Sequence, residues 1–159
     1  MRELSEAEIK SKAEAYCSAV ERCPSEIEEK IHKWGASEEV TALIMAHLYR
    51  ERYLDAARFC RFYVRDKYRF NQWGRMKIAQ MLRMKGLSDG DIQAGLEEID
   101  TEEYDGILKK LLKQKMKSIK AANDYERSMK LIRFAMGRGF TLEEIRRYVN
   151  QLDPDEDFD

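Results

Sequence analysis

The chain has 159 residues, a formal net charge of −1, and 37% charged residues against 43% hydrophobic ones. A chain of this length can bury a real core, and the high charged fraction favours several small helical units over one thick core. Only two prolines and eight glycines occur, which predicts an all-α fold. No apolar stretch reaches the ~20 residues that cross a bilayer, and no signal peptide is evident. We therefore expect a cytoplasmic protein without membrane association.

The cysteines and histidines argue against disulfide and metal frameworks. Cys17, Cys23 and Cys60 are an odd number without a CxxC pair, so reduced, buried thiols are expected. The two histidines fall on different predicted helices. Phosphate-loop, nucleophile-elbow and HExxH motifs are missing from the sequence. We predict no metal, no cofactor, no catalytic residue and no enzymatic activity.

Helix signals in the first third of the chain follow one another closely. Ser5 with Glu8 is typical of a capping box and opens a helix to about residue 22. Pro24 suits the first turn of a second helix, and Ser37 caps a third to about residue 51. The first helix has apolar residues at helical spacing, namely Ile9, Ala13, Tyr16 and Val20.

The middle third begins with another local signal. Asp55 is a good N-cap, and Leu54 with Phe59 has the spacing of a hydrophobic staple. This helix is predicted to reach about Tyr68, with Phe59, Phe62 and Tyr63 among the positions facing the core. Asn71 is predicted to cap the next helix, which ends at Gly86. A short helix over 88–99 follows.

The last third begins with the longest predicted helix, from residue 100 or 101 to about 121. Asn123 with Glu126 opens another helix, and Thr141 with Glu144 opens the last one, to about residue 152. Residues 153–159 are acidic, carry no periodicity and are predicted to be a disordered tail.

Three glycines indicate an internal repeat. Gly35, Gly86 and Gly139 each close the middle helix of a predicted three-helix unit. Apolar residues stand eight and four positions before each glycine, namely Ile27, Ile31, Ile78, Leu82, Leu131 and Ala135. We predict an elongated tandem array with repeats at 1–52, 53–99 and 100–152. The alternative is a chance likeness between capped helices of common length.

Positive charge is concentrated in the central repeat. Tyr53–Gly86 holds nine basic and two acidic residues. Four arginines recur at helical spacing and predict one stripe, namely Arg58, Arg61, Arg65 and Arg69. Further basic candidates are Lys67, Arg75 and Lys77, and a second stripe on the long helix comprises Lys110, Lys113, Lys117 and Lys120. Such stripes suit acidic protein surfaces or nucleic-acid phosphates, and the alternative is a solvated helix face.

Aromatic residues accompany this charge near the junction of the two central helices. Tyr63, Tyr68, Phe70 and Trp73 could stack the bases of single-stranded DNA. Aromatic residues at helical spacing are more often part of a core, which is the favoured interpretation. Trp73 and Gly74 are predicted to set the angle between the helices.

The central motifs resemble the RecX family of bacterial recombinase regulators. The matching residues form the pattern Tyr53-Leu54-Asp55-x-x-Arg58-Phe59 and then Trp73-Gly74-x-x-Lys77-Ile78-x-x-x-Leu82-x-x-Lys85-Gly86-Leu87. The ending Arg138-Gly139-Phe140 and the three-helix period match as well. Ala56 departs from the pattern, where a second acid is usual, and the opening of the first repeat also differs.

The resemblance implies a regulator that binds the RecA recombinase filament along its helical groove. We expect the protein to be a monomer. It further implies inhibition of the ATPase, strand-exchange and co-protease activities of RecA in DNA recombination and repair. The alternative is a direct DNA-binding protein, for single or double strands, that uses the same basic face. The residues expected to form the scaffold of the motif are Leu54, Asp55, Phe59, Trp73, Gly74, Ile78, Leu82 and Gly86.

Overall fold

The computed structural model describes residues 3–152, which form nine α-helices and no strand. The predicted all-α class is confirmed. The helices are α1 Glu6–Ala19, α2 Pro24–Lys33, α3 Glu38–Arg50, α4 Ala56–Arg69, α5 Arg75–Met84, α6 Asp89–Glu97, α7 Thr101–Ser118, α8 Asp124–Gly137 and α9 Leu142–Val149. The predicted acidic tail, 153–159, lies outside the described residues.

Local capping signals place most of the helix starts. Glu8 N donates to Ser5 Oγ at 3.1 Å, and Ser5 N donates to the Glu8 carboxylate at 3.3 Å. Thr141 and Glu144 form the same reciprocal pair at 3.1 and 2.8 Å. The capping boxes at Ser5 and at Thr141 are therefore complete, and each satisfies two N–H groups at a helix start. Other caps accept from the residue three positions on, namely Ser37, Asp55, Ser88, Asp100 and Asn123.

The three repeat glycines close their helices in the same way. Gly35, Gly86 and Gly139 have φ of 108°, 87° and 99°, a left-handed conformation that glycine adopts without steric cost. The residue after each glycine donates back into the helix, in the bonds Ala36 N to Ile31 O, Leu87 N to Leu82 O and Phe140 N to Ala135 O. These are Schellman bonds at lengths of 3.2 to 3.3 Å. The helices α2, α5 and α8 thus end with the same backbone conformation and the same hydrogen bond. The exact repeat boundaries stay a prediction.

The predicted start of α5 is wrong. The helix begins at Arg75, four residues after Asn71. Gly74 N donates to Arg138 O at 2.8 Å, and Met76 N donates to Gly139 O at 3.0 Å. Arg75 N donates to Tyr104 Oη at 3.0 Å. Distant groups therefore accept from all three N–H groups at the start of α5, and a local side-chain cap is not needed.

Two further boundaries and one helix face also differ. The backbone of Val20 is extended and its side chain is 54% exposed, so α1 ends before it. On α4, Phe62 is 50% exposed and Phe59 and Tyr63 are only half-buried. The buried row consists of Cys60, Val64 and Tyr68, which recur at i+4 and share one side of the helix. The long helix α7 ends at Ser118 instead of near residue 121.

The first compact unit comprises Met1–Phe62 and Leu82–Gly95. In it, α1, α2 and α3 pack on one another over a core of Ile9, Ala13, Cys17, Ile27, Ile31, Ile44, Met45, Leu48 and Leu54. Gly95 lies against the backbone of Cys60, which lets α6 approach α4 closely. All three cysteines are buried and free, which confirms the prediction of buried thiols.

The second compact unit comprises Tyr63–Met81 and Leu96–Asp159. Here α7, α8 and α9 pack on one another. Tyr104 lies between Tyr68 and Phe140, with ring centroids 6.2 and 5.3 Å apart, and all three rings are at most 3% exposed. Gly74 touches the backbone of Gly139, where a larger residue would collide. This contact positions the turn between α4 and α5.

Candidate functional site

Arg58 of the first unit is anchored inside its own chain. Its Nε lies 2.9 and 3.0 Å from the two carboxylate oxygens of Glu21. Its terminal nitrogens donate to the carbonyl groups of Arg52 and Tyr53 at 3.2 and 3.3 Å. The ion pair is largely shielded, with side-chain exposures of 29% and 20%. Arg58 therefore fixes the segment that precedes α4, and few of its N–H donors are available to a partner protein.

Two arginines of the second unit are anchored as well. Arg69 forms a two-point contact with Glu103, at 2.5 and 3.2 Å, and this hydrogen bond raises the pKa of Arg69. Arg75 Nε lies 3.4 Å from Glu144, and its Nη1 donates to Leu96 O at 3.2 Å. Both arginines therefore link the turn between α4 and α5 to α7 and α9.

Tyr104 completes the anchoring of Arg75. The Arg75 guanidinium lies 4.6 Å from the centre of the Tyr104 ring, and Arg75 N donates to Tyr104 Oη at 3.0 Å. Burial raises the pKa of Tyr104 well above its ordinary value, so the phenol remains neutral at physiological pH. Tyr104 is a structural hydrogen-bond partner here.

Lys67 and Lys77 of the second unit are held differently, by an aromatic ring. Their ammonium groups lie 5.1 and 4.5 Å from the centre of the Trp73 ring. Lys67 also lies 5.2 Å from the Tyr63 ring and 3.9 Å from the Asp66 carboxylate. Cation–π contacts orient an ammonium group without using its hydrogen-bond donors. This Trp73 cluster, Tyr63, Lys67, Trp73 and Lys77, can therefore offer donors to an anionic partner.

The remaining predicted basic residues divide by exposure. Arg65 is exposed and Arg61 is half-buried. On α7, Lys110 and Lys117 are exposed, whereas Lys113 is only 3% exposed. Because Lys113 points inward, and because α7 ends before Lys120, the predicted lysine stripe is not one continuous exposed row.

The aromatic residues at the turn also separate into two groups. Tyr68 is buried in the core, as favoured from the sequence, but Phe70 is 79% exposed. Met76 adds a second exposed apolar side chain, at 58%. The α4–α5 turn therefore combines positive charge with exposed apolar surface, a composition found at interaction sites.

The predicted scaffold residues have structural roles. Leu54, Ile78 and Leu82 are at most 1% exposed, and Asp55 accepts from Arg58 N at 2.9 Å. Phe59 and Trp73 are half-buried. Over residues 3–152, no group of three potential metal ligands occurs, and no helix there is both long and apolar enough to cross a membrane.

One cluster escaped the sequence reasoning. In the first unit, Tyr16 and Trp34 pack edge to face, and Lys12, Arg22 and Lys30 lie over their rings. The sequence carries no local signal for it, because Lys12 lies over Trp34, and Arg22 and Lys30 reach Tyr16 from outside α1.

The fold defines an all-α protein built from capped helices with recurrent glycine endings. Family models for "RecX, second three-helix domain" and "RecX, third three-helix domain" match residues 55–96 and 102–149. The "Regulatory protein RecX" of Pectobacterium atrosepticum is 30% identical over 154 residues, which cover 96% of this chain and 92% of that protein. The chain belongs to the RecX family.

Other relatives are longer, and solved structures agree in fold. The regulatory protein RecX of Oceanobacillus iheyensis is 28% identical over 87% of this chain, but the match covers 51% of its length. The chain thus spans about half the length of this relative. The crystal structure of RecX from Lactobacillus salivarius has a TM-score of 0.82 at 19% identity, covering 93% of this chain and 96% of that one. A second crystal structure, of "regulatory protein RecX", has a TM-score of 0.79 at 24% identity, covering 91% and 74%.

Proposed function

We propose that the chain binds the RecA recombinase filament and inhibits its ATPase, strand-exchange and co-protease activities, and so regulates DNA recombination and repair. The observation that carries this proposal is its membership in the RecX family, with a relative named as a regulatory protein matched over 92% of its length. We further propose that it acts as a monomer in the cytoplasm, without a cofactor.

We propose the Trp73 cluster of the second unit, with Arg65, as the main contact surface, and Arg61 of the first unit as a separate contact candidate. The lysines of the cluster are oriented by aromatic rings, so ordering them on binding costs little conformational entropy. The exposed Phe70 and Met76 add apolar contact area in the same sequence segment. Arg69 and Arg75 support this surface through their carboxylate partners, and Lys110 and Lys117 are secondary contact candidates.

The direct test is a RecA ATPase assay on single-stranded DNA with increasing amounts of this protein. We expect ATP hydrolysis to fall. Strong inhibition well below one molecule per RecA protomer would indicate capping of filament ends, and a stoichiometric requirement would indicate coating of the groove. Unchanged hydrolysis at an excess of the protein would contradict the proposed function.

A paired variant tests the contact surface. Lys67→Gln with Lys77→Gln removes two charges from the Trp73 cluster and should weaken inhibition by about thirtyfold, since each charge-assisted contact contributes roughly 1 kcal/mol. The matched control is Arg133→Gln with Arg146→Gln, which removes the same charge from two exposed positions of the second unit. Equal inhibition by both variants would remove the Trp73 cluster from the mechanism.

The second candidate function is direct DNA binding by the same basic face. The exposed ring of Phe70 favours it, because an exposed aromatic side chain near positive charge can stack a base. Titration onto RecA-coated and bare single-stranded DNA distinguishes the two functions. Equal affinity for both, with a steep salt dependence, would favour DNA over the filament.

A further inference from the structure

The first compact unit carries a second set of cations held on aromatic rings. Tyr16 of α1 and Trp34, which ends α2, meet edge to face with ring centroids 6.1 Å apart. The Lys12 ammonium lies 4.7 Å from the Trp34 ring. The Arg22 guanidinium and the Lys30 ammonium lie 3.6 and 5.0 Å from the Tyr16 ring. We name these five residues the Tyr16 cluster.

Arg22 makes two contacts with Tyr16, one to its ring and one to its backbone. Its guanidinium stacks on the ring of Tyr16, and its Nε donates to Tyr16 O at 3.1 Å. A guanidinium has five N–H donors, so this geometry leaves the terminal nitrogens available. Within residues 3–152, none of Lys12, Arg22 and Lys30 is paired with a carboxylate. Three neighbouring positive charges thus make no salt bridge, and each would attract a bound anion.

A concave space adjoins these cations. The cavity measures about 220 Å³ and is lined by Tyr16, Arg22, Ile27 and Lys30, a volume that can hold one apolar side chain. Glu26 and Glu29 also line it, and each is engaged by a lysine of the same unit. Lys85 Nζ lies 2.7 Å from Glu26, and Lys33 Nζ lies 3.4 Å from Glu29. The cavity therefore combines Tyr16 and Ile27 with three cations, Arg22, Lys30 and Lys33, and two carboxylates.

We infer that the Tyr16 cluster is a docking site for an acidic peptide segment of a partner protein. A carboxylate of that segment binds the terminal nitrogens of Arg22 in two-point fashion, and a second carboxylate binds Lys30. An apolar side chain between them enters the cavity beside Ile27. The inference does not rest on the proposed RecA inhibition, and the site lies on helices that precede the matched family domains.

The rim favours a peptide over a nucleic acid. A nucleic-acid strand carries one charge on every phosphate, and Glu26 and Glu29 would repel it along the rim. A peptide can place neutral or basic residues opposite these carboxylates while its own acidic residues meet Arg22 and Lys30. Charge complementarity thus selects an acidic segment whose carboxylates are separated by an apolar residue.

The test measures binding of a dye-labelled peptide, GSDFDSG, to the full chain by fluorescence anisotropy, without RecA or DNA. We expect saturable binding that the amide peptide GSNFNSG does not reproduce. Arg22→Gln with Lys30→Gln should weaken binding at least about tenfold, because two charge-assisted contacts are lost. The control Arg133→Gln with Arg146→Gln removes the same charge elsewhere and should change affinity less than about twofold.

A conservative variant keeps the test decisive. Arg22→Lys retains the charge but not the planar fork, so affinity should fall to a level between wild type and the double variant. Circular dichroism checks that each variant is folded. Three outcomes would overturn the inference: equal binding of the two peptides, an equal loss in the control variant, or displacement of the peptide by oligothymidylate with an affinity that depends on Arg22 and Lys30. The last outcome would assign the cluster to nucleic acid.

Discussion

Both compact units hold cations in two ways, over aromatic rings and against carboxylates, but the units differ in how the rings and cations are arranged. Each contains one tyrosine–tryptophan pair overlaid by cations, and each contains arginines anchored on carboxylates. In the first unit, Tyr16 and Trp34 meet at 88° and their cations border a cavity of about 220 Å³. In the second unit, Tyr63 and Trp73 are tilted by 60°, and both ammonium groups lie over Trp73.

The difference teaches that a basic residue is a contact candidate only once its own partners are known. Arg58 and Arg75 are the most engaged cations of their units, through Glu21 and Glu144. Their charge is neutralised inside the fold, so they stabilise packing. Cations that lie on rings retain their donors, because a ring face attracts the charge without accepting a normal hydrogen bond.

The largest change in the free energy of unfolding is expected from substituting the glycines that end helices. Gly139 of the second unit has φ of 99°, and a Cβ there would collide with the backbone of Lys77. Gly139→Ala should therefore lower the free energy of unfolding by about 4 kcal/mol, combining backbone strain with overpacking. Urea denaturation followed by circular dichroism measures the loss.

Gly35 of the first unit is the matched control. Its φ is 108°, but a Cβ would meet nothing within 4 Å. Gly35→Ala should cost about 1 kcal/mol, from backbone strain alone. Equal losses of stability in the two variants would show that a collision with Lys77 adds nothing to the cost of Gly139→Ala.

This contrast also explains how far the fold could be predicted from sequence. The caps at Ser5 and Thr141 and the ending at Gly86 depend on neighbours within a few residues, and all were predicted correctly. The start of α5 depends on the carbonyl groups of Arg138 and Gly139, more than sixty residues away. No local pattern encodes that partner, and Asn71 is the nearest preceding residue whose side chain favours an N-cap.

The candidate site was less predictable, because burial and pairing are tertiary properties. Spacing alone placed Lys110, Lys113 and Lys117 in one stripe, yet Lys113 is buried. Spacing also grouped Arg58 with Arg61, although Glu21, the partner of Arg58, lies on the segment after α1. The Tyr16 cluster was missed because its cations come from two helices and the segment between them.

The second prediction compares an anchored cation, which is paired with a carboxylate, with a ring-held cation, which lies over an aromatic ring. Arg58→Gln should lower the free energy of unfolding by about 2 kcal/mol, because Glu21 loses its partner in a mostly shielded site. Lys77→Gln should change it by less than about 0.5 kcal/mol but should weaken RecA inhibition. Denaturation curves give the free energy of unfolding of each variant, and RecA ATPase assays give the inhibition by each variant. The reverse ranking, with Lys77→Gln the less stable variant, would contradict the division into anchored and ring-held cations.

The third prediction compares the two complete capping boxes. Ser5→Ala in the first unit and Thr141→Ala in the second should each lower the free energy of unfolding by about 1 kcal/mol, because each leaves an N–H group of the first turn without its acceptor. Thermal denaturation measures both. Ser5→Thr and Thr141→Ser, which keep the hydroxyl group, are the controls and should stay close to wild type. A fully stable alanine variant would show that water replaces the cap.

The smallest effect at neutral pH is expected from the thiols, which occur only in the first unit among the described residues. Burial raises the pKa of Cys17 and of Cys60 from 9.0 to about 11. An unfolded thiol loses its proton near its ordinary value, so between pH 9 and about 11 the unfolded chain binds fewer protons than the folded chain. The free energy of unfolding should therefore fall as pH rises through this window. Below pH 8 both states keep the proton, and no effect is expected.

Comparing urea denaturation of wild type with Cys17→Ala/Cys60→Ala at several pH values cancels the contribution of the tyrosines, which both proteins share. The difference between the two proteins should be constant below pH 8 and should shrink above pH 9, because only wild type loses this term. A difference that stays constant to about pH 10.5 would mean that the thiols ionise alike in both states, and that burial in the first unit does not control them.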